Sequence, residues 1–66
     1  MTGDIPGEVI FEYTQIGHSV RVTAIDVATG TEVTIQAPAG ASQMDMQRTA
    51  LNKLKYVMGK RGEKDN

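Results

Sequence analysis

The chain has 66 residues, a formal net charge of −1, no cysteine and a single histidine, His18. That length holds one domain, and a chain so short buries only about 60% of its unfolded surface. Disulfides are excluded, as is a zinc cage of nitrogen and sulfur ligands, so an efficient core or self-association must stabilise it.

Residues 1–7 are expected to be a disordered leader, punctuated at its end by Pro6 and Gly7. They contain neither a basic region nor an apolar stretch, so no signal peptide is expected. No apolar run approaches the roughly 20 residues that span a bilayer. A cysteine-free chain fits a reducing compartment, and cytoplasmic residence is the expectation.

Residues 8–16 are short and rich in β-branched and aromatic side chains, which favours a strand. Gly17-His18 follows, and a two-residue loop led by glycine suits a type II′ hairpin turn. Residues 19–26 then alternate, with Val20, Val22 and Ala24 on one face. The turn fixes the pairs Ile16–Ser19, Gln15–Val20, Tyr13–Val22, Phe11–Ala24 and Val9–Asp26. This register sets Val9, Phe11 and Tyr13 on the same face as Val20, Val22 and Ala24. Turn chemistry and hydrophobic pattern therefore agree.

The second turn runs from Asp26 to Thr31, with Gly30 suited to a left-handed position. A four-residue loop sets Ala24 against Val33, Val22 against Ile35 and Val20 against Ala37. A three-residue loop would turn the apolar residues of the third strand to the wrong face. Pro38-Ala39-Gly40-Ala41 ends that strand. Ser42 is placed as an N-cap, with Asp45 three residues on as a weaker relative of the capping box. The helix is expected over residues 43–58, with Gly59 as its C-cap. Met46, Ala50, Leu51, Leu54, Val57 and Met58 make its apolar stripe. Residues 60–66 are charged and are expected to be a disordered tail.

These elements predict an α+β fold: a three-stranded antiparallel meander, then one amphipathic C-terminal helix packed on one sheet face (β-β-β-α), over residues 8–59. Phe11, Val22, Ile35, Leu51 and Leu54 are the expected core.

Charge divides along the chain. Through Ser42 there are five acids and one base; from Gln43 onward there are six bases and three acids. Cations late in a helix suit its macrodipole, and a polar helix face is the ordinary reading of such a run.

No constellation for catalysis emerges. His18 sits at a hairpin tip with no nucleophile or orienting carboxylate near it in sequence. Glu8 and Glu12 face away from Asp26, so no carboxylate pair of glycosidase type forms. Glu12 and Arg21 are placed for a diagonal surface ion pair. The glycine loops match no phosphate-binding pattern. The expectation is no enzyme, no cofactor and no metal.

The open sheet face carries more promise. Ile10 and Ile25 are directly opposed there, with Ile16 and Arg21 on the same face, and Tyr56 stands on the polar side of the helix among lysines. These five residues are the candidate partner contacts. The expected function is a small non-catalytic protein-interaction module that self-associates or meets another protein. The alternative is a weak nucleic-acid-associated accessory protein using the basic helix and tail. Specific nucleic-acid binding is not expected, because one arginine against two glutamates is the wrong balance for a reading face.

The runs Phe11-Glu12-Tyr13-Thr14-Gln15-Ile16-Gly17-His18-Ser19-Val20-Arg21-Val22-Thr23-Ala24-Ile25-Asp26, Thr29-Gly30-Thr31-Glu32-Val33 and Leu51-Asn52-Lys53-Leu54-Lys55-Tyr56 resemble a family of short alphaproteobacterial proteins of unknown function. The resemblance covers about residues 8–58. It implies a bacterial cytoplasmic protein and brings no catalytic or binding residue with it.

Overall fold

In a computed structural model that describes residues 7–64, three strands precede one helix. The strands are β1 (Val9–Ile16), β2 (Ser19–Asp26) and β3 (Glu32–Pro38), and the helix is α1 (Gln43–Lys64). The sheet order is β1-β2-β3, antiparallel throughout, so β2 is central and β1 and β3 are edges. The expected β-β-β-α fold is the observed one, and most of the expected leader, residues 1–6, lies outside the described residues.

Both hairpins adopt the register read from the sequence. Ile16 faces Ser19, Tyr13 faces Val22 and Val9 faces Asp26. Across the second hairpin Ala24 faces Val33, Val22 faces Ile35 and Val20 faces Ala37. Gly17 has φ 62° while His18 does not have a positive φ, which is the type II′ pattern. Gly30 has φ 76° and closes the second loop, where its N–H donates to Asp26 O at 2.8 Å. A side chain at either glycine would be forced into the left-handed region.

At the start of α1, the Asp45 N–H donates to Ser42 Oγ at 3.0 Å, so Ser42 is the N-cap. The far end differs from expectation. The helix does not stop at Met58 but passes through Gly59 to Lys64, which also places residues 60–64 of the expected tail in helix. Gly59 is not among the positive-φ glycines, so it does not make the left-handed C-cap. A glycine inside a helix costs about 1 kcal/mol, and this helix carries two, Gly59 and Gly62, interspersed with the good helix formers Lys60, Arg61, Glu63 and Lys64.

The core joins Val20, Val22 and Ala24 of β2 and Val33 of β3 to Met46, Ala50 and Leu54 of α1. Phe11 and Ile35 pack against it from partly buried positions. Leu51 does not belong to this cluster and is only half-buried. Met46, Ala50 and Leu54 are four residues apart and form one line along the helix. Leu51 is a further 100° round from Ala50. Ala50, wholly buried, lets the helix approach the sheet closely at the centre of that line.

Candidate functional site

The helix packs chiefly on β2 and β3. Two consequences position everything that remains available for contact. Among the described residues no layer covers the sheet's outer face, and the inner face of β1 lies beside the helix rather than beneath it.

The outer face is ordered in rows by the register. One row is Ile16, Ser19 and Pro38; the next is Thr14, Arg21 and Gln36; then Glu12, Thr23 and Thr34; then Ile10, Ile25 and Glu32. Apolar residues thus lie towards both ends of β1 with charged and polar rows between them. Ile10 is 46% exposed and Ile16 47% exposed, while Ile25, on the central strand, is half-buried. The Thr23 and Thr34 hydroxyls lie 3.2 Å apart, bridging β2 and β3 across this face. The expected ion pair between Glu12 and Arg21 does not form among the described residues, where the ion pair seen is Arg48–Asp45 at 3.8 Å on the helix. Two residues in adjacent rows and adjacent strands are diagonal neighbours about 7–8 Å apart at the backbone, and nothing here draws the two ends together.

Four of the five candidate contacts, Ile10, Ile16, Ile25 and Arg21, therefore share one face. Tyr56, 65% exposed, belongs to the other layer. Its neighbour there is Lys60, whose Nζ lies 5.9 Å from the ring centroid. A shallow hollow of about 210 Å³ among Lys55, Tyr56, Gly59 and Lys60 marks the same place. A second hollow of about 250 Å³ lies between the end of β3 and the first turns of the helix, lined by Ile35, Ala37, Pro38, Ala41, Met46 and Thr49 among others.

The inner side of β1 is half-covered. Val9, Phe11 and Tyr13 are each partly buried against the core, whereas the equivalent residues of β2 are fully buried. Sequence reasoning placed these side chains on the correct face but missed that the helix would sit to one side of them. The reach of a helix across a sheet is not written in periodicity.

The two sheet edges differ, and this too was not foreseen. Alternate residues of a strand turn their N–H and C=O groups to opposite sides. Val27 N–H donates to Glu8 O at 3.0 Å, so the even-numbered residues of β1 face β2. Val9, Phe11, Tyr13 and Gln15 therefore present their backbone groups outward. Likewise Asp26 N–H donates to Thr31 O at 2.8 Å, so Glu32, Thr34 and Gln36 face outward on β3. On that edge Lys53 Nζ donates to Thr34 O at 3.1 Å. A lysine laid across an edge is a recognised block to further strand pairing. Among the described residues, β1 has no such contact.

Asp26 and Thr29 accept turn amides as those residue types in a turn lead one to expect, but the burial of Asp26 was not legible in the sequence. Asp26 is 1% exposed, and its Oδ2 accepts the Thr29 amide at 3.2 Å and the Thr29 hydroxyl at 2.6 Å. The cluster closes the second hairpin. His18 is exposed at the first hairpin tip, as the turn requires.

No helix among the described residues is long and apolar enough to cross a membrane. Comparison with curated proteins and with solved structures returned no match. The profile of the domain of unknown function DUF6898 matches residues 6–61, which takes in all three strands and most of the helix, and the chain belongs to that family.

Proposed function

We propose that the chain is a non-catalytic protein-interaction module whose contact surface is the outer face of the sheet. One observation carries this reading. Ile10 and Ile16 are nearly half exposed on a face that none of the described elements covers, and Ile10 is paired directly with Ile25. Cross-strand partners approach closely enough to act as one apolar spot. Thr14, Arg21, Glu12 and Gln36 lie between the apolar ends and supply polar contacts that would orient a partner.

The charges of the helix offer less. Arg48 is engaged by Asp45, and Lys53 is held against β3. Among the helix side chains that the structure describes, this leaves Lys55 and Lys60, whereas nucleic-acid binding needs several cations acting together.

Capture from native cytosol by the wild-type chain and by an Ile10→Lys, Ile25→Lys variant tests the proposal. Both positions are on the outer face, so the core is untouched. Partners retained by the wild type and lost by the variant support the reading. Partners retained equally by both remove the outer face from consideration.

A further inference from the structure

We infer that a second copy of this chain pairs along β1, antiparallel and centred on Tyr13, to make a continuous six-stranded sheet. This inference rests on the protein-interaction reading and names the partner and the geometry.

The first argument is the asymmetry of the edges. Lys53 closes the β3 edge by donating to Thr34 O, and Pro38 ends that strand. The residues of β1, Val9–Ile16, include no lysine and no proline, and their single charge is Glu12. Long edges without such devices are templates for a further strand. Four consecutive outward-facing residues, Val9, Phe11, Tyr13 and Gln15, offer an intact ladder.

The second argument is the position of the helix. Because α1 rests on β2 and β3, Val9, Phe11 and Tyr13 are left only partly covered. In the register centred on Tyr13, a partner strand beside β1 sets Tyr13 against its own copy and Phe11 against the partner's Gln15, so Tyr13 gains cover, with Phe11 diagonal to the partner's Tyr13. The outer-face isoleucines gain as well.

The register follows from the pattern along β1. Centring on Glu12 would set that carboxylate against its own copy, an opposed like charge. Centring on Thr14 would set Glu12 against the partner's Ile16, and centring on Phe11 would set Ile10 against the partner's Glu12. Centring on Tyr13 sets Ile10 against the partner's Ile16. The same register sets Glu12 against the partner's Thr14, which is flanked by the partner's Arg21. Arg21 and Glu12 make no ion pair with each other within one chain. Across the junction each lies in the same row as the opposite charge, two strands or about 10 Å away, a favourable but long-range complementarity. Ile16 then lies in line with the partner's Ile10 and Ile25, so each half of the outer face gains a continuous apolar row. The arrangement is two-fold and self-complementary, and it closes at two copies.

The chain has no cysteine, which gives a clean test of the register. Glu12 and the partner's Thr14 would form a non-hydrogen-bonded pair, with Cα atoms about 4.5 Å apart. Glu12→Cys and Thr14→Cys chains, mixed under mild oxidation, should cross-link at least about tenfold faster than either alone, since only the mixture sets two sulfurs within disulfide range. Sedimentation equilibrium of the wild type should show a monomer–dimer equilibrium between micromolar and millimolar concentration. A wild type that stays monomeric to millimolar concentration overturns the inference, as does equal cross-linking of each variant alone. The capture experiment separates this from the broader reading. Loss of partners by the Ile10→Lys, Ile25→Lys variant of a monomeric protein leaves the outer face as a contact site without the dimer. A dimer whose captured partners ignore those substitutions keeps the β1 junction and discards the outer face.

Discussion

The Thr29 hydroxyl donates to Asp26 Oδ2 at 2.6 Å, beneath a turn that leaves the carboxylate almost wholly buried. Thr29 Oγ1 also lies 2.8 Å from Thr31 Oγ1 and accepts the Thr31 amide at 3.2 Å. Its single proton is committed to Asp26, so this one side chain links the two ends of the loop. Thr29→Val keeps the shape and removes the hydroxyl. Urea denaturation should show a loss of about 1–3 kcal/mol, the usual penalty for depriving a buried acceptor of its donor. An unchanged midpoint would show that the Thr29 amide alone suffices.

Leu54 and Val22 meet in the same core cluster from opposite layers, and both are fully buried. Leu54→Ala should destabilise by about 2–5 kcal/mol, a large share of the stability of a domain this size. Leu51→Ala should lose clearly less, because Leu51 is half-buried and outside the cluster. Thermal melts of the two variants side by side check the order. Equal losses would contradict the helix orientation described above.

Ser42→Ala removes the acceptor of the Asp45 amide and should cost about 1 kcal/mol. Ser42 is exposed and packs into no core, so the change reads the cap alone. Helical circular dichroism at the start of the thermal transition is the measurement, with Ser42→Asp expected to restore most of the loss.

Lys53→Ala should make the β3 edge as available as that of β1. The expected outcome is association beyond two copies, seen as concentration-dependent growth in sedimentation velocity while the fold is retained. Lys53→Arg keeps a donor near Thr34 O and should behave as wild type. Identical behaviour of the alanine variant would show that the β3 edge is protected by something other than this lysine.

Sequence-selective nucleic-acid binding is not expected at physiological salt. The outer face carries Arg21 against Glu12 and Glu32, and non-specific contacts by the helix cations weaken steeply as salt rises. Fluorescence anisotropy with random and selected duplexes decides the matter; submicromolar selective binding at about 0.15 M salt would overturn the expectation.

The strands and their register were legible because two independent signals coincide. Gly17 fixes the phase of the first hairpin, and alternation through Val20, Val22 and Ala24 demands that same phase. Gly30 and Val33 do the same for the second. The helix start was legible from Ser42 for the same kind of local reason. Its end was not, because Gly59 followed by charged residues resembles a stop while the backbone there remains helical. Leu51 was misplaced because a stripe read at helical spacing does not say which of its lines touches the sheet. The outer-face isoleucines follow from register and were readable. The blocked edge at Thr34 was not, since Lys53 is 19 residues away and the contact exists only once the helix is docked.

Each strand pairs with the one next to it in the chain, joined by loops of two and five residues between the strand ends at Ile16 and Ser19 and at Asp26 and Glu32. Little loop entropy is surrendered before the first contacts form, and a hairpin with a preset turn closes in about 1–10 μs. The slow event is then the arrival of the helix on an assembled meander. Contacts this near in sequence place the domain among the faster-folding mixed proteins. Newly made chains would spend little time with β1 unpaired on both sides.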